Sequence, residues 1–131
     1  MTASRLISLL ATALVVGIVG QTLFFKFTAA PESVALFTQL GLEPFGRVGI
    51  GVAELVALIL LVIPRTAIYG ASLAAGLMGG ALFSHLTTLG FAGDMGVLAA
   101  LAVVALLASL TVLWIRRSEI PVIGPRLVPA S

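Results

Sequence analysis

The stretch Met95–Ile115, MGVLAALAVVALLASLTVLWI, decides the fold. It contains no charged residue and no proline. A helix that crosses a bilayer needs ~20 mostly apolar residues, because the hydrocarbon is ~30 Å thick and each residue rises ~1.5 Å. The run meets that length. It lacks the period-two alternation of barrel strands, so a spanning helix is the reading.

Three more runs of the same kind lie upstream. Ala67–Leu89 holds His85 but no formal charge. Pro44–Ile63 is interrupted by Arg47 near its start and by Glu54. Leu6–Phe25 is uncharged, and its span extends to about residue 27. The separators are short: Pro64-Arg65-Thr66 between the second and third spans, and Gly90–Asp94 between the third and fourth. The expected spans are thus about 6–27, 44–63, 67–89 and 95–115, in one transmembrane domain over residues 1–131. The fold class is all-α, an integral membrane four-helix bundle.

Composition agrees. Hydrophobic residues make up 60% of the chain and charged ones 9%, against ~45–50% and ~25% in soluble domains. So small a chain cannot bury that much apolar surface, and the excess must face lipid or a partner. The net charge of +2 excludes the dense Lys/Arg footprint of a nucleic-acid binder. Cysteine is absent, which excludes disulfides, thiolate catalysis and Cys-based metal sites.

The longest connection, Thr28–Glu43, has its own helix signals. Pro31 suits a first helical position, Glu32 suits the positive helix start, and Gly41 suits a stop. Val34, Phe37 and Leu40 share one face, which predicts a short amphipathic helix over about 31–40 at the membrane surface. The first span also resembles the h-region of a signal peptide preceded by Arg5. Its length and the Lys26 that follows favour a retained span.

Arg5, Arg65, Arg116, Arg117 and Arg126 fall on one side of this topology, and Lys26 and Arg47 on the other. The positive-inside rule then places both termini, and a tail over 116–131, in the cytoplasm. Trp114 suits an interfacial anchor on that face, and Pro121, Gly124, Pro125 and Pro129 suit an extended tail.

Intramembrane charges are costly and face a bundle interior or a watery cavity. Lys26 ends the first span at its outer side, with Gln21 deeper. Arg47 begins the second span there, and Glu54 follows seven residues later on the same face, ~10 Å further along the axis. His85 lies about one turn from the outer end of the third span, and Asp94 opens the fourth. Depth alone therefore predicts a polar pocket in the outer half, built from Lys26, Arg47, Glu54 and His85, with Gln21 and Asp94 nearby. Structural readings stand beside it. Glu54 also suits an ion pair with Lys26 or Arg47, Arg47 an interfacial charge, His85 an interhelical hydrogen bond, and Asp94 a helix cap. A lone His with scattered carboxylates sets no metal site.

Gly70, Ala74, Gly76, Gly79 and Gly80 on the third span, with Gly17, Gly46, Gly49 and Gly51 elsewhere, predict close helix packing. None forms a phosphate loop, because no strand precedes them and no Gly-Lys-Ser/Thr follows. No nucleophile–His–acid trio stands out either. Ser84 adjoins His85, but neighbours on a helix point in different directions.

An ordered set of short motifs resembles the DoxX-like family of small bacterial membrane proteins. It comprises Phe25-Lys26-Phe27-Thr28, Ala30-Pro31-Glu32-Ser33, Leu40-Gly41, Gly46-Arg47, Gly51-Val52-Ala53-Glu54-Leu55, Ile63-Pro64-Arg65, Ser84-His85-Leu86-Thr87 with Gly90, and Trp114-Ile115-Arg116-Arg117. The resemblance implies a four-span bundle in a bacterial cytoplasmic membrane, with Lys26, Arg47, Glu54 and His85 at characteristic positions. It also implies an accessory subunit of a membrane redox system, with quinone as the candidate cofactor. Some related bundles use cysteine pairs, and that chemistry does not carry over to this cysteine-free chain. No residue here carries electrons by itself, so an enzymatic role is expected only as part of an oxidoreductase. From the residues alone, a non-catalytic binding or assembly subunit with a protein partner or a second copy is an equal reading. A small transporter or channel is the weaker third, as no broken helix pair or inverted repeat is evident.

Overall fold

The computed structural model describes residues 2–120. Helix α1 runs Ala3–Phe27, α2 Pro31–Gln39, α3 Phe45–Val62, α4 Ala67–Ser84 and α5 Asp94–Ile115. A single π turn, His85–Leu89, prolongs α4, and a 3₁₀ turn, Arg117–Glu119, follows α5. No strand occurs among the described residues.

Local chemistry sets the boundaries. The Thr2 hydroxyl accepts from the Arg5 backbone N–H at 3.2 Å and so satisfies one orphan donor of α1. This cap starts α1 at Ala3, a little before the residue 6 expected from hydropathy. Pro31 occupies the first turn of α2 with Glu32 beside it. Ile63 is extended, the conformation that a following proline demands, and α3 ends there. Gly90 and Gly93, with φ of 72° and 59°, turn the chain between the π turn and α5, a backbone region cheap only for glycine.

Helices α1, α3, α4 and α5 are each long and apolar enough to cross a membrane, and they match the four expected spans. They stand in a ring in which α1 packs on α3, α3 on α4, α4 on α5 and α5 back on α1. No more than 33% of any span's most apolar window is buried within the chain. Leu10, Leu14, Phe24, Ile59, Phe83, Val97 and Leu107 point outward. Exposed apolar surface on all sides is tenable only in lipid or against a partner, so the protein is a multi-pass membrane protein.

The core is narrow. Val15, Val19 and Leu23 of α1 meet Ala57 and Leu61 of α3, Ala71, Ala74 and Met78 of α4, and Ala102, Ala105, Ala108 and Val112 of α5. Small side chains let backbones approach, and in lipid that close van der Waals packing is what holds helices together. A Cβ at Gly70 would lie 2.7 Å from both the Ala57 carbonyl oxygen and the Leu61 Cα. One at Gly51 would lie 3.0 Å from the Phe27 ring. The other glycines correct the expectation. Gly17, Gly49, Gly76, Gly79 and Gly80 have open space where a Cβ would stand, and Gly46 approaches only Leu42, four residues before it. Packing within the chain therefore explains Gly51, Gly70 and Ala74, not the whole set.

Helix α2 lies across the bundle end away from the chain termini, touching α1, α3 and the π turn. The expected apolar face is the one turned inward, with Phe37 buried and Val34 and Leu40 half-buried. Gln39 Nε2 donates to the Thr88 carbonyl at 3.3 Å, which ties α2 to the π turn. This end is called distal below, and the other, with residue 2, Pro64 and Arg116, terminal. Of the expected 116–131 tail, the part beyond residue 120 lies outside the described residues.

Candidate functional site

The distal half holds the polar residues singled out from sequence, and the fold sorts them into two groups. The first is a clasp between α1 and α3. Lys26 Nζ lies 3.2 Å from Glu54 Oε2, with both side chains buried. The same ammonium donates to Thr22 Oγ1 at 3.2 Å, one turn back along α1. Thr22 Oγ1 donates in turn to the Val19 carbonyl at 2.8 Å and stands 3.5 Å from Glu54 Oε2. Its single proton serves the closer carbonyl, so Thr22 chiefly orients the ammonium.

Arg47 completes the clasp. Its Nε donates to Glu43 Oε1 at 2.8 Å and to Oε2 at 3.1 Å. Its Nη1 donates to the Lys26 backbone carbonyl, one of the last carbonyls of α1 that the helix itself leaves unpaired. Arg47 and Glu54 lie on one face of α3, too far apart to pair with each other, and both reach Lys26. One holds its backbone and the other its side chain. The spacing of seven residues thus lets α3 grip the end of α1 at two heights.

The second group surrounds His85. The ring is 4% exposed. Nδ1 lies 2.9 Å from the Gly90 carbonyl, which can only accept, so Nδ1 carries the proton. The ring stacks on Phe91 with centroids 6.0 Å apart. Among the described residues, no hydrogen bond joins His85 to Lys26, Arg47 or Glu54.

Every side-chain nitrogen or oxygen closed off from the surface has a hydrogen-bond partner among the described residues. His85 Nε2 and Glu54 Oε1 have no hydrogen bond there. Each therefore opens onto accessible space, although its residue is buried.

Gln21 and Asp94 stand apart. Gln21 is exposed on α1. Asp94 is exposed in the first turn of α5, but Gly93 occupies the cap position and no side chain caps the helix. Asp94 therefore acts at most through its charge at the positive helix start. Two cavities lie away from these residues, one at the terminal end and one between α1 and α5. No three His, Asp or Glu side chains converge as a metal set among the described residues.

Glu43, Thr22 and Phe91 escaped the sequence reading. One of them carried a signal: Thr22 and Lys26 are spaced by four within one span, the distance at which helical side chains meet. Glu43 precedes Pro44 and reads as loop, so its spacing to Arg47 carries no weight in the sequence alone. Phe91 had no local signal, because the π turn that brings it to His85 forms only in the fold.

Comparison of the chain with protein-family models, with curated proteins and with solved structures finds no match.

Proposed function

We propose that this chain is a non-catalytic binding and assembly subunit of a membrane complex, with the Lys26–Glu54 clasp as its internal staple. One observation carries the reading. Ser72, Gly76 and Gly80 form an exposed row on α4, and the space where a Cβ would stand on Gly76 or Gly80 is empty. Such a row admits the backbone of another helix, which is how helices associate in lipid. Tyr69 and Phe83, both exposed, flank it as larger contacts. The partner is a second copy or another membrane protein. The basic residues at the terminal end, by the positive-inside rule, put both termini in the cytoplasm and the chain in a cytoplasmic membrane.

A redox-linked role in such a complex, with quinone as ligand, is the second reading. The resemblance to DoxX-like proteins suggests it, and the unpartnered His85 Nε2 favours it. A quinol hydroxyl held in an apolar cleft needs a hydrogen-bond acceptor, and Nε2, with the ring proton on Nδ1, supplies one.

The cysteine-free chain makes the test clean. Single cysteines placed by Gly76→Cys, Gly80→Cys and, as control, Val103→Cys on the exposed face of α5 are crosslinked in native membranes. Mass spectrometry then identifies joined proteins, and gently purified protein is extracted for lipophilic molecules. Crosslinks from residues 76 and 80 but not 103 support assembly through α4. Equal crosslinking from all three, or none, removes that reading. Co-purifying quinone that is lost in His85→Phe supports the redox-linked one.

A further inference from the structure

A cavity of about 400 Å³ lies at the terminal end, far from the clasp. Thr2, Arg5 and Ser8 of α1, Pro64 of the α3–α4 turn, Arg116 and Glu119 contribute to its lining. Three observations mark it as an anion site rather than a packing gap.

The first is Ser8. It is 6% exposed, and its hydroxyl makes no hydrogen bond. Elsewhere in the helices, Thr12, Ser72, Ser84, Ser109 and Thr111 all donate to the carbonyl four residues back. Ser8 does not, so its hydroxyl is left unused and, although the residue is buried, opens onto accessible space at the cavity it lines.

The second is charge. The Arg5 guanidinium has no hydrogen bond or ion pair. Arg116 uses only Nη1, on the Pro64 carbonyl at 3.3 Å and on Glu119 at 3.2 Å. Its Nε and Nη2 remain available. The start of α1 adds the positive end of a long helix, with the Ala3 and Ser4 N–H groups outside the helical bonding pattern. Among the described residues, Glu119 is the only carboxylate in the lining.

The third is depth. Trp114, exposed in the last turn of α5, lies under the Arg117 guanidinium at 4.3 Å. Tryptophan beside arginine marks the headgroup level of a bilayer. Leu9 and Ile115 give the cavity an apolar wall on its membrane side.

We propose that the cavity binds the phosphate headgroup of an anionic phospholipid, held by Arg5, Arg116 and the Ser8 hydroxyl. The lipid source follows from the apolar wall of Leu9 and Ile115, which a free phosphate ion would leave unused, and from the headgroup level marked by Trp114 and Arg117. Arg116 then exchanges part of its bond to Glu119 for the phosphate. The site is separate from the α4 face, so its fate does not depend on the proposed assembly role.

The full-length protein in mild detergent is titrated with phosphatidylglycerol, phosphatidylcholine and inorganic phosphate. Native mass spectrometry counts bound lipid, and thermal unfolding reports stabilisation. Phosphatidylglycerol is expected to be retained and to raise Tm, while phosphatidylcholine and inorganic phosphate have little effect. Arg5→Gln is expected to weaken phosphatidylglycerol binding about fivefold, the usual effect of one cation at a membrane surface. Ser8→Ala is expected to weaken it severalfold. Arg116→Lys guards against loss of the Pro64 link and should retain more binding than Arg116→Gln. Arg65→Gln, at the same end but outside the cavity lining, should change nothing. Equal retention of the two lipids, an equal loss in Arg65→Gln, or saturation by inorganic phosphate overturns the proposal.

Discussion

The Lys26 ammonium sits 3.2 Å from the Glu54 carboxylate, buried between α1 and α3. The charges lie at the C-terminal end of one helix and part-way along the next, where lipid rather than water surrounds the bundle. Each neutralises the other, and neither is tolerable there alone. The pair is therefore a constraint on which helices adjoin as much as a source of stability.

Glu54→Gln leaves the Lys26 charge unmatched and should destabilise the bundle by about 3 kcal/mol. Replacing both partners, as Lys26→Met with Glu54→Leu, should recover most of that loss, because two apolar groups need no pairing in lipid. Thermal unfolding in a fixed detergent measures both. A double variant as unstable as Glu54→Gln would assign the clasp more than a staple's role.

Arg47 depends on its fork. The side chain spans the Glu43 carboxylate and the end of α1 at once, and a lysine ammonium cannot supply both directions. Arg47→Lys should therefore destabilise nearly as much as Arg47→Ala, by about 2 kcal/mol. Hydrogen exchange should quicken at residues 24–30, the end of α1. Full rescue by lysine would mean that charge alone matters at this position.

Two glycines on one helix should behave oppositely. Gly70→Ala drives a Cβ into the α3 backbone at Ala57 and Leu61 and should cost about 2 kcal/mol. Gly76→Ala meets nothing among the described residues and should leave stability within about 0.5 kcal/mol of the parent or improve it. A bulkier Gly76→Leu should leave the isolated bundle intact while abolishing any complex formed through α4. Size-exclusion mass measurement on both proteins separates the two effects.

His85→Phe keeps a ring to stack on Phe91 but loses the bond to the Gly90 carbonyl. The expected cost is about 1 kcal/mol, read as faster hydrogen exchange over residues 85–93. The rest of the bundle should be unaffected, since His85 shares no hydrogen bond with the clasp.

The four spans, the two basic and apolar halves, and even the inward face of α2 were legible in the sequence. Each rests on a local property. Hydropathy over ~20 residues reports burial in lipid, and a spacing of three to four reports a helical face. The candidate site was legible only in part. Depth bookkeeping placed Lys26, Arg47, Glu54 and His85 in one half of the bundle, and spacing placed Arg47 and Glu54 on one face. Depth carries no azimuth, however. It could not say that Gln21 is exposed while Thr22, one residue on, faces Lys26. Nor could it say that the π turn directs His85 toward Gly90 and Phe91.

By itself, the sequence determined that this chain crosses a membrane as four helices with the ionisable residues inside its spans gathered toward the end away from Arg5 and Arg116, because the transfer of side chains between water and lipid depends on composition alone. The tertiary structure decided which charges meet. It gave Lys26 to Glu54, Arg47 to Glu43 and the end of α1, and left the Ser8 hydroxyl and Gly76 with nothing among the described residues to answer them. Those outcomes depend on the rotation of each helix about its axis, and only the packing of the small residues at Gly51, Gly70 and the alanine core sets that rotation.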